Sequence, residues 1–200
     1  MKEIVLIRHP ETDLAGTFCG HSDPDLNAAG EHHLCSIIEQ ITPIHIAHIC
    51  SSDLRRASRT ATAISERIGA PIELRSGLRE MHFGRWEGLT WDQIERNYPR
   101  DAALWVRDFP ERCAPDGEAY RDFVARVEAE LRNVIAQERN GPLAVVTHRG
   151  VMQYALSRFF SFTRDEARKA TENYGAIVVA TTQFCARSIP FGIPAQVAQV

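Results

Sequence analysis

Apolar positions cluster in short runs separated by stretches with helical spacing. The run Ile4-Val5-Leu6-Ile7 is continuous and too short for a helix, so residues 3–8 read as a buried strand. Asn27 offers an N-cap to a helix carrying Leu34, Ile37, Ile38 and Ile41, which Pro43 stops. Residues 44–50 predict a second strand. Residues 54–68 predict a helix with the seam Ala57, Ala61, Ile64 and Ile68, closed by Gly69. Residues 72–74 predict a short third strand. A helix opening at Gly117 keeps Tyr120, Phe123, Val124, Val127, Leu131, Val134 and Ile135 on one face, and Asn140-Gly141-Pro142 ends it. Residues 143–147 give another buried strand, residues 150–160 a helix, and residues 177–181 a last strand. Between these, residues 84–117 hold Trp86, Trp91, Trp105, Pro99, Pro110 and Pro115 and read as a small helical insertion. Strands alternating with helices predict a three-layer α/β/α sandwich with a mainly parallel central sheet. The expected organisation is one domain over residues 1–183, capped by residues 84–117, and a tail over 184–200 with no assigned element.

Composition narrows the function classes. In 200 residues, 44% are hydrophobic and 24% charged, with a net charge of −3, which excludes collagen-like, low-complexity and strongly disordered chains. The mild acidity argues against a general nucleic-acid binder. No apolar run approaches the roughly 20 residues of a membrane span, and Met1-Lys2-Glu3 leads into the first strand without a signal peptide. The cysteines (Cys19, Cys35, Cys50, Cys113 and Cys185) are odd in number, scattered and free of any CxxC. They predict a reduced, cytoplasmic chain, although one disulfide stays compatible with the spacing. His32 and His33 fall on different helix faces, and His45 and His48 on opposite faces of the expected strand. With no HExxH or paired carboxylates beside them, they read as surface residues, and no metal or cofactor is expected.

The chemistry concentrates at strand ends. In α/β sheets, ligands bind beyond the carboxyl ends of the strands, and two expected strands run out into histidine, at Arg8-His9 and at Thr147-His148. The strand before Ser51-Ser52-Asp53 is followed by Arg55 and Arg56. Imidazoles and guanidiniums gathered at one sheet edge suit an anion such as a phosphoryl group.

Four stretches sharpen this. They are Arg8-His9-Pro10-Glu11-Thr12 with Gly20-His21-Ser22-Asp23, Leu26 and Gly30; Ser51-Ser52-Asp53-Leu54-Arg55-Arg56-Ala57 with Thr60-Ala61; residues 78–88 from Leu78-Arg79-Glu80 to Gly88; and Val146-Thr147-His148-Arg149-Gly150. In this order they resemble the histidine phosphatase superfamily, also called the phosphoglycerate-mutase-like family. The resemblance implies that His9 is the nucleophile, that Arg8, Arg56 and His148 clamp the phosphoryl oxygens, and that Glu80 protonates the leaving alkoxide and then assists a water. His9 would then be neutral among cations, and Glu80 would hold a proton near neutrality. Glu87 and His82 compete with Glu80 as donor, and His82 is either a helper behind it or a plain loop residue. The Arg-Ala register favours Arg56 over Arg55 for the pocket. Thr12, Gly20 (read as a turn requirement) and His21 would line the substrate site.

The pattern is departed from at Pro10, where relatives have glycine, at Ala15, where many have asparagine, and at Arg149 after the second histidine. Pro10 removes a donor while favouring an extended His9. Arg149 recruits substrate, pairs with a carboxylate such as Glu87, or faces solvent. The short insertion favours a phosphatase over a phosphoglycerate mutase. Residues 105–127 are similar to the alpha-ribazole phosphatase branch, where the tryptophans either stack on an aromatic base or form core. A small phosphorylated substrate is expected, either alpha-ribazole 5′-phosphate or another phosphate ester, with neither nucleic acid nor membrane as partner and a homodimer left open. The competing reading is a catalytically weak relative that binds a phosphorylated ligand or protein.

Overall fold

A computed structural model describes residues 3–137, 140–181 and the backbone of 185–189. Six strands form one sheet in the order β3-β2-β4-β1-β5-β6. They are β1 (Glu3–Arg8), β2 (His48–Ser51), β3 (Ile72–Leu74), β4 (Leu143–Thr147), β5 (Ile177–Thr181) and β6 (Cys185–Ile189). The first four are mutually parallel, β5 runs antiparallel to β1, and β6 runs antiparallel to β5.

The alternation of side chains along a strand sorts the layers. Val5 and Ile7, with Ala144 and Val146, meet Ile37 and Ile41 of α1 (Ala28–Ile41) and Ala57, Ala61 and Ile64 of α2 (Arg55–Ile68). Ile4 and Leu6, with Leu143 and Val145, meet three helices on the other face. These are α5 (Tyr120–Ala136), α6 (Arg149–Phe159) and α7 (Arg164–Ala170). The intervening segment holds α3 (Trp91–Asn97) and α4 (Pro99–Asp108), packed on their own cluster of Trp86, Ile94, Ala102 and Ala114. Caps behave as the residue types dictate. The Asn27 side chain accepts from Gly30 N–H, and Gly69 takes the left-handed conformation after α2.

Four details depart from the sequence reading. β2 begins at His48, because residues 44–46 curl back on the end of α1 through Ile44 N–H to Ile41 O and Ile46 N–H to Ile44 O. His45 therefore lies off the strand. The long helix starts at Tyr120, since Gly117 closes a turn on Ala114 O, with φ 58° at Asp116. Helix α7, capped reciprocally by Thr163 and Glu166, carried no prediction. β6 pairs along β5 inside the stretch read as a tail, and Pro190 and Pro194 lie outside the described residues. Trp86 is fully buried, and Trp91 and Trp105 pack against it as cap core rather than as a stacking platform. Among the described residues, no helix is long and apolar enough to cross a membrane.

Candidate active site

Register brings the two histidines together. β1 and β4 are parallel neighbours with Arg8 opposite Thr147, so the next residues, His9 and His148, leave the sheet side by side. The connection after β1 departs toward β2 and that after β4 toward β5, which opens a crevice between their carboxyl ends. The two rings lie 5.1 Å apart between centroids, tilted by 61°. Both residues are buried, as are Arg8, Arg56 and Glu80.

Hydrogen bonds fix the state of His9. Its Nδ1 lies 2.7 Å from the Pro10 carbonyl, an acceptor only, so Nδ1 carries the proton and Nε2 the lone pair. That lone pair accepts from Arg56 Nε–H at 3.2 Å. Burial, then Arg56, then Arg8 hold the imidazole well below its ordinary pKa, so the ring stays neutral. Pro10, which removed a backbone donor, thus supplies the acceptor that leaves the outer nitrogen basic.

His148 is fixed differently. Ser52 Oγ accepts from Leu54 N–H and lies within hydrogen-bond distance of His148 Nε2, at 2.8 Å. Its Nδ1 is buried with no partner, as is Arg8 Nε. Burial, followed by Arg56 and His9, depresses this ring too. An unpartnered guanidinium N–H and an unpartnered ring nitrogen at these strand ends are groups that an oxyanion would satisfy.

The arginines are oriented by carbonyls rather than by carboxylates. Arg8 Nη1 donates to Thr171 O and Glu172 O at 3.0 and 2.6 Å, and its guanidinium lies 4.0 Å from the centroid of the Tyr174 ring. Burial lowers its pKa, and Tyr174 opposes this. Arg56 donates to Ser22 O (2.7 Å), Gly20 O (2.7 Å) and Cys19 O (3.4 Å), besides His9. Arg55 faces solvent and pairs with Asp25, as the register required. Glu80 accepts from Met81 N–H at 3.0 Å and Gly150 N–H at 2.9 Å, leaving two of its four acceptor positions unused.

A family model, that of the histidine phosphatase superfamily (branch 1), matches residues 4–188. The chain belongs to this superfamily. As in its named relatives, the activity is that of a phosphatase, a hydrolase. Phosphoserine phosphatase 1 of Hydrogenobacter thermophilus is 28% identical over 84% of this chain and 84% of its own. Glucosyl-3-phosphoglycerate phosphatase of Mycobacterium tuberculosis is 31% identical over 76% of this chain and 72% of its own. The alpha-ribazole phosphatase of Shigella flexneri superposes with a TM-score of 0.82 at 23% identity, covering 96% of this chain and 97% of that one.

Within this histidine phosphatase, Arg8, His9, Arg56, Glu80 and His148 converge on one crevice. The outer candidates divide. His21 Nε2 lies 3.1 Å from Glu80 O, and its ring sits 4.9 Å from that of His82, itself half-buried. Burial, then His82, Arg126 and Arg79, lowers the His21 pKa. Thr12 is buried in an isolated bridge to Leu26. Gly20 has no positive φ; what it provides is room, since a Cβ there would lie 2.0 Å from Met81 O. Arg149 is exposed at the start of α6, and among the described residues it forms no ion pair. The Glu87 partnership is closed to it, because backbone N–H groups fill that carboxylate. Ala15 is exposed in its loop.

Sequence reasoning gave no role to Ser52, although it stands one residue beyond β2, nor to Tyr174. Antiparallel β5 sets the latter beside β1, with its ring 5.8 Å from that of His9. No local signal marks such a residue.

The neutral rings carry a pH consequence. Unfolding releases two histidines whose ordinary pKa is near 6.5, so below that value the unfolded chain binds protons that the native chain does not. Stability is expected to be complete above about pH 6.5. It falls with acidification by up to about 1.4 kcal/mol per pH unit per ring. Urea unfolding between pH 8 and 5 checks this, and a slope unchanged in His9→Asn and His148→Asn variants would contradict it.

Proposed function

We propose that the chain is a metal-independent phosphomonoesterase that works through a phosphohistidine on His9. The supporting observation is the His9 ring itself: neutral, with its proton on Nδ1 held by Pro10 O, and with a basic Nε2 set among Arg8, Arg56 and His148. Nε2 attacks phosphorus as the ester oxygen leaves in line. The charge on the three equatorial oxygens falls to the two guanidiniums and to His148. Fixed cations supply the stabilisation for which other phosphatases use metal ions. Glu80, held by Gly150 and Met81 N–H groups, gives its proton to the leaving alkoxide and then takes one from the water that opens the N–P bond.

The substrate class is a small phosphomonoester. Alpha-ribazole 5′-phosphate, phosphoserine and glucosyl-3-phosphoglycerate form the panel to rank by kcat/KM. The tryptophan arrangement gives no reason to favour an aromatic base.

Leaving-group chemistry tests the mechanism. Nitrophenolate departs without help, whereas an alkoxide needs a proton. Glu80→Gln is expected to slow phosphorylation by glycerol 3-phosphate by about 10²–10⁴-fold and by p-nitrophenyl phosphate far less. Quenched flow with chelator present measures both rates, and an acid-labile, alkali-stable label on His9 identifies the intermediate. Equal losses on the two esters would remove Glu80 from the proton-donor role.

A further inference from the structure

Glu87 has no part in the steps above, yet it is the most heavily bonded carboxylate near the site. Its Oε1 accepts from His21 N–H (2.8 Å) and Phe83 N–H (2.9 Å). Its Oε2 accepts from Gly20 N–H and Ser22 N–H, both at 3.0 Å. Those four bonds fill its acceptor positions, and among the described residues no Lys, Arg or His forms an ion pair with it. Burial alone would favour the neutral acid, but the backbone donors, joined by the Ser22 side chain, keep its pKa below the usual carboxylate value.

The two groups of donors belong to different walls of the crevice. Residues 20–22 turn their N–H groups to Glu87, while the carbonyls of Cys19, Gly20 and Ser22 receive the Arg56 guanidinium. Peptide dipoles therefore lie between a half-buried anion and a buried cation and are favourable to both. Arg56 in turn donates to His9 Nε2. Phe83 belongs to the segment that begins with Glu80. That segment packs so closely on the first wall that Gly20 has no space for a Cβ, which would lie 2.0 Å from Met81 O and 2.6 Å from Glu87 Oε1. His21 Nε2, 3.1 Å from Glu80 O, adds a direct tie.

We infer that Glu87 is a positioning residue that fastens the loop receiving the Arg56 guanidinium to the Glu80-bearing segment and so sets the proton donor in register with the phosphoryl clamp. This rests on the reading of Glu80 as donor. The carboxylate never touches substrate; it acts through the two walls.

The test combines two esters with a double-mutant cycle. Glu87→Gln keeps the shape but replaces one acceptor by an amide that clashes with backbone donors. Glu87→Asp keeps the charge and shortens the reach, and serves should Glu87→Gln fold poorly. Displacements near 1 Å cost about 100-fold. Both variants are expected to lose about that factor in kcat on glycerol 3-phosphate, about tenfold on p-nitrophenyl phosphate, and little in KM. In a Glu80→Gln background the extra loss on the alkyl ester is expected to vanish, because the donor it mispositions is gone. Equal losses on both esters, or a selective loss that persists without Glu80, would overturn the inference. Should Glu80→Gln itself be unselective, the proton-donor reading falls instead. A selective Glu80→Gln beside unselective Glu87 variants removes only the positioning role.

Discussion

His9→Ala is expected to lower turnover of p-nitrophenyl phosphate by on the order of 10⁴-fold or more and to abolish the labelled phosphoenzyme. The size follows from what is lost. The guanidiniums and His148 still bind an oxyanion, but nothing remains to accept the phosphoryl group, so water must attack without the covalent route. The side chain is buried, and its Nδ1 bond reaches only the next residue, so the fold is expected to persist. Phosphate or vanadate binding, measured by calorimetry, should survive within about tenfold, since Arg8 Nε and His148 Nδ1 remain. Retained turnover above about 1% with a label on another residue would contradict the assignment.

Arg56→Lys is the second large effect, although it conserves charge. One guanidinium meets Ser22 O, Gly20 O, Cys19 O and His9 Nε2 from a single plane. An ammonium has three donors on a flexible stem and no fork. Four acceptors against three donors leave at least one of them without its partner, which costs about 1–3 kcal/mol, so a stability loss of roughly that size is expected in urea unfolding. Turnover is expected to fall by about 10³-fold, the low end for an arginine that stabilises a transferring phosphoryl group. Arg55→Lys, exposed and paired with Asp25, is the matched control and should change neither quantity appreciably. A loss in Arg56→Lys as small as that in Arg55→Lys would show that charge, not the planar fork, is what the site needs.

The parallel core strands were legible because their signal is local. Ile4 to Ile7 and Leu143 to Val146 are short, apolar and uninterrupted, and each runs out into its histidine. The choice of Arg56 over Arg55 followed from helix register, since Ala57 and Ala61 had to face the sheet and carry Arg56 inward. Elements fixed by distant partners were not legible. β6 exists because β5 offers it an edge. Tyr174 meets Arg8 because the chain returns antiparallel after α7. Glu87 looked like a rival acid in one dimension. Only the folded loop reveals four backbone donors converging on it. Gly20 was read as a turn requirement, whereas its role is close approach to Met81 O, which leaves no trace in a turn-forming dipeptide.

The middle of the sheet has a bearing on how the enzyme assembles. Ile4 pairs with Leu143 on one side and with Ala180 on the other, so β1 gains both neighbours only from the far end of the chain. Such long-range closures are entropically expensive and slow. Until they occur, an apolar ribbon is open to other chains. Because β1–β4 pairing also sets the two imidazoles side by side, hydrolysis of a chromogenic ester during refolding would serve as a clock for the latest contacts to form, running behind any probe of helix content.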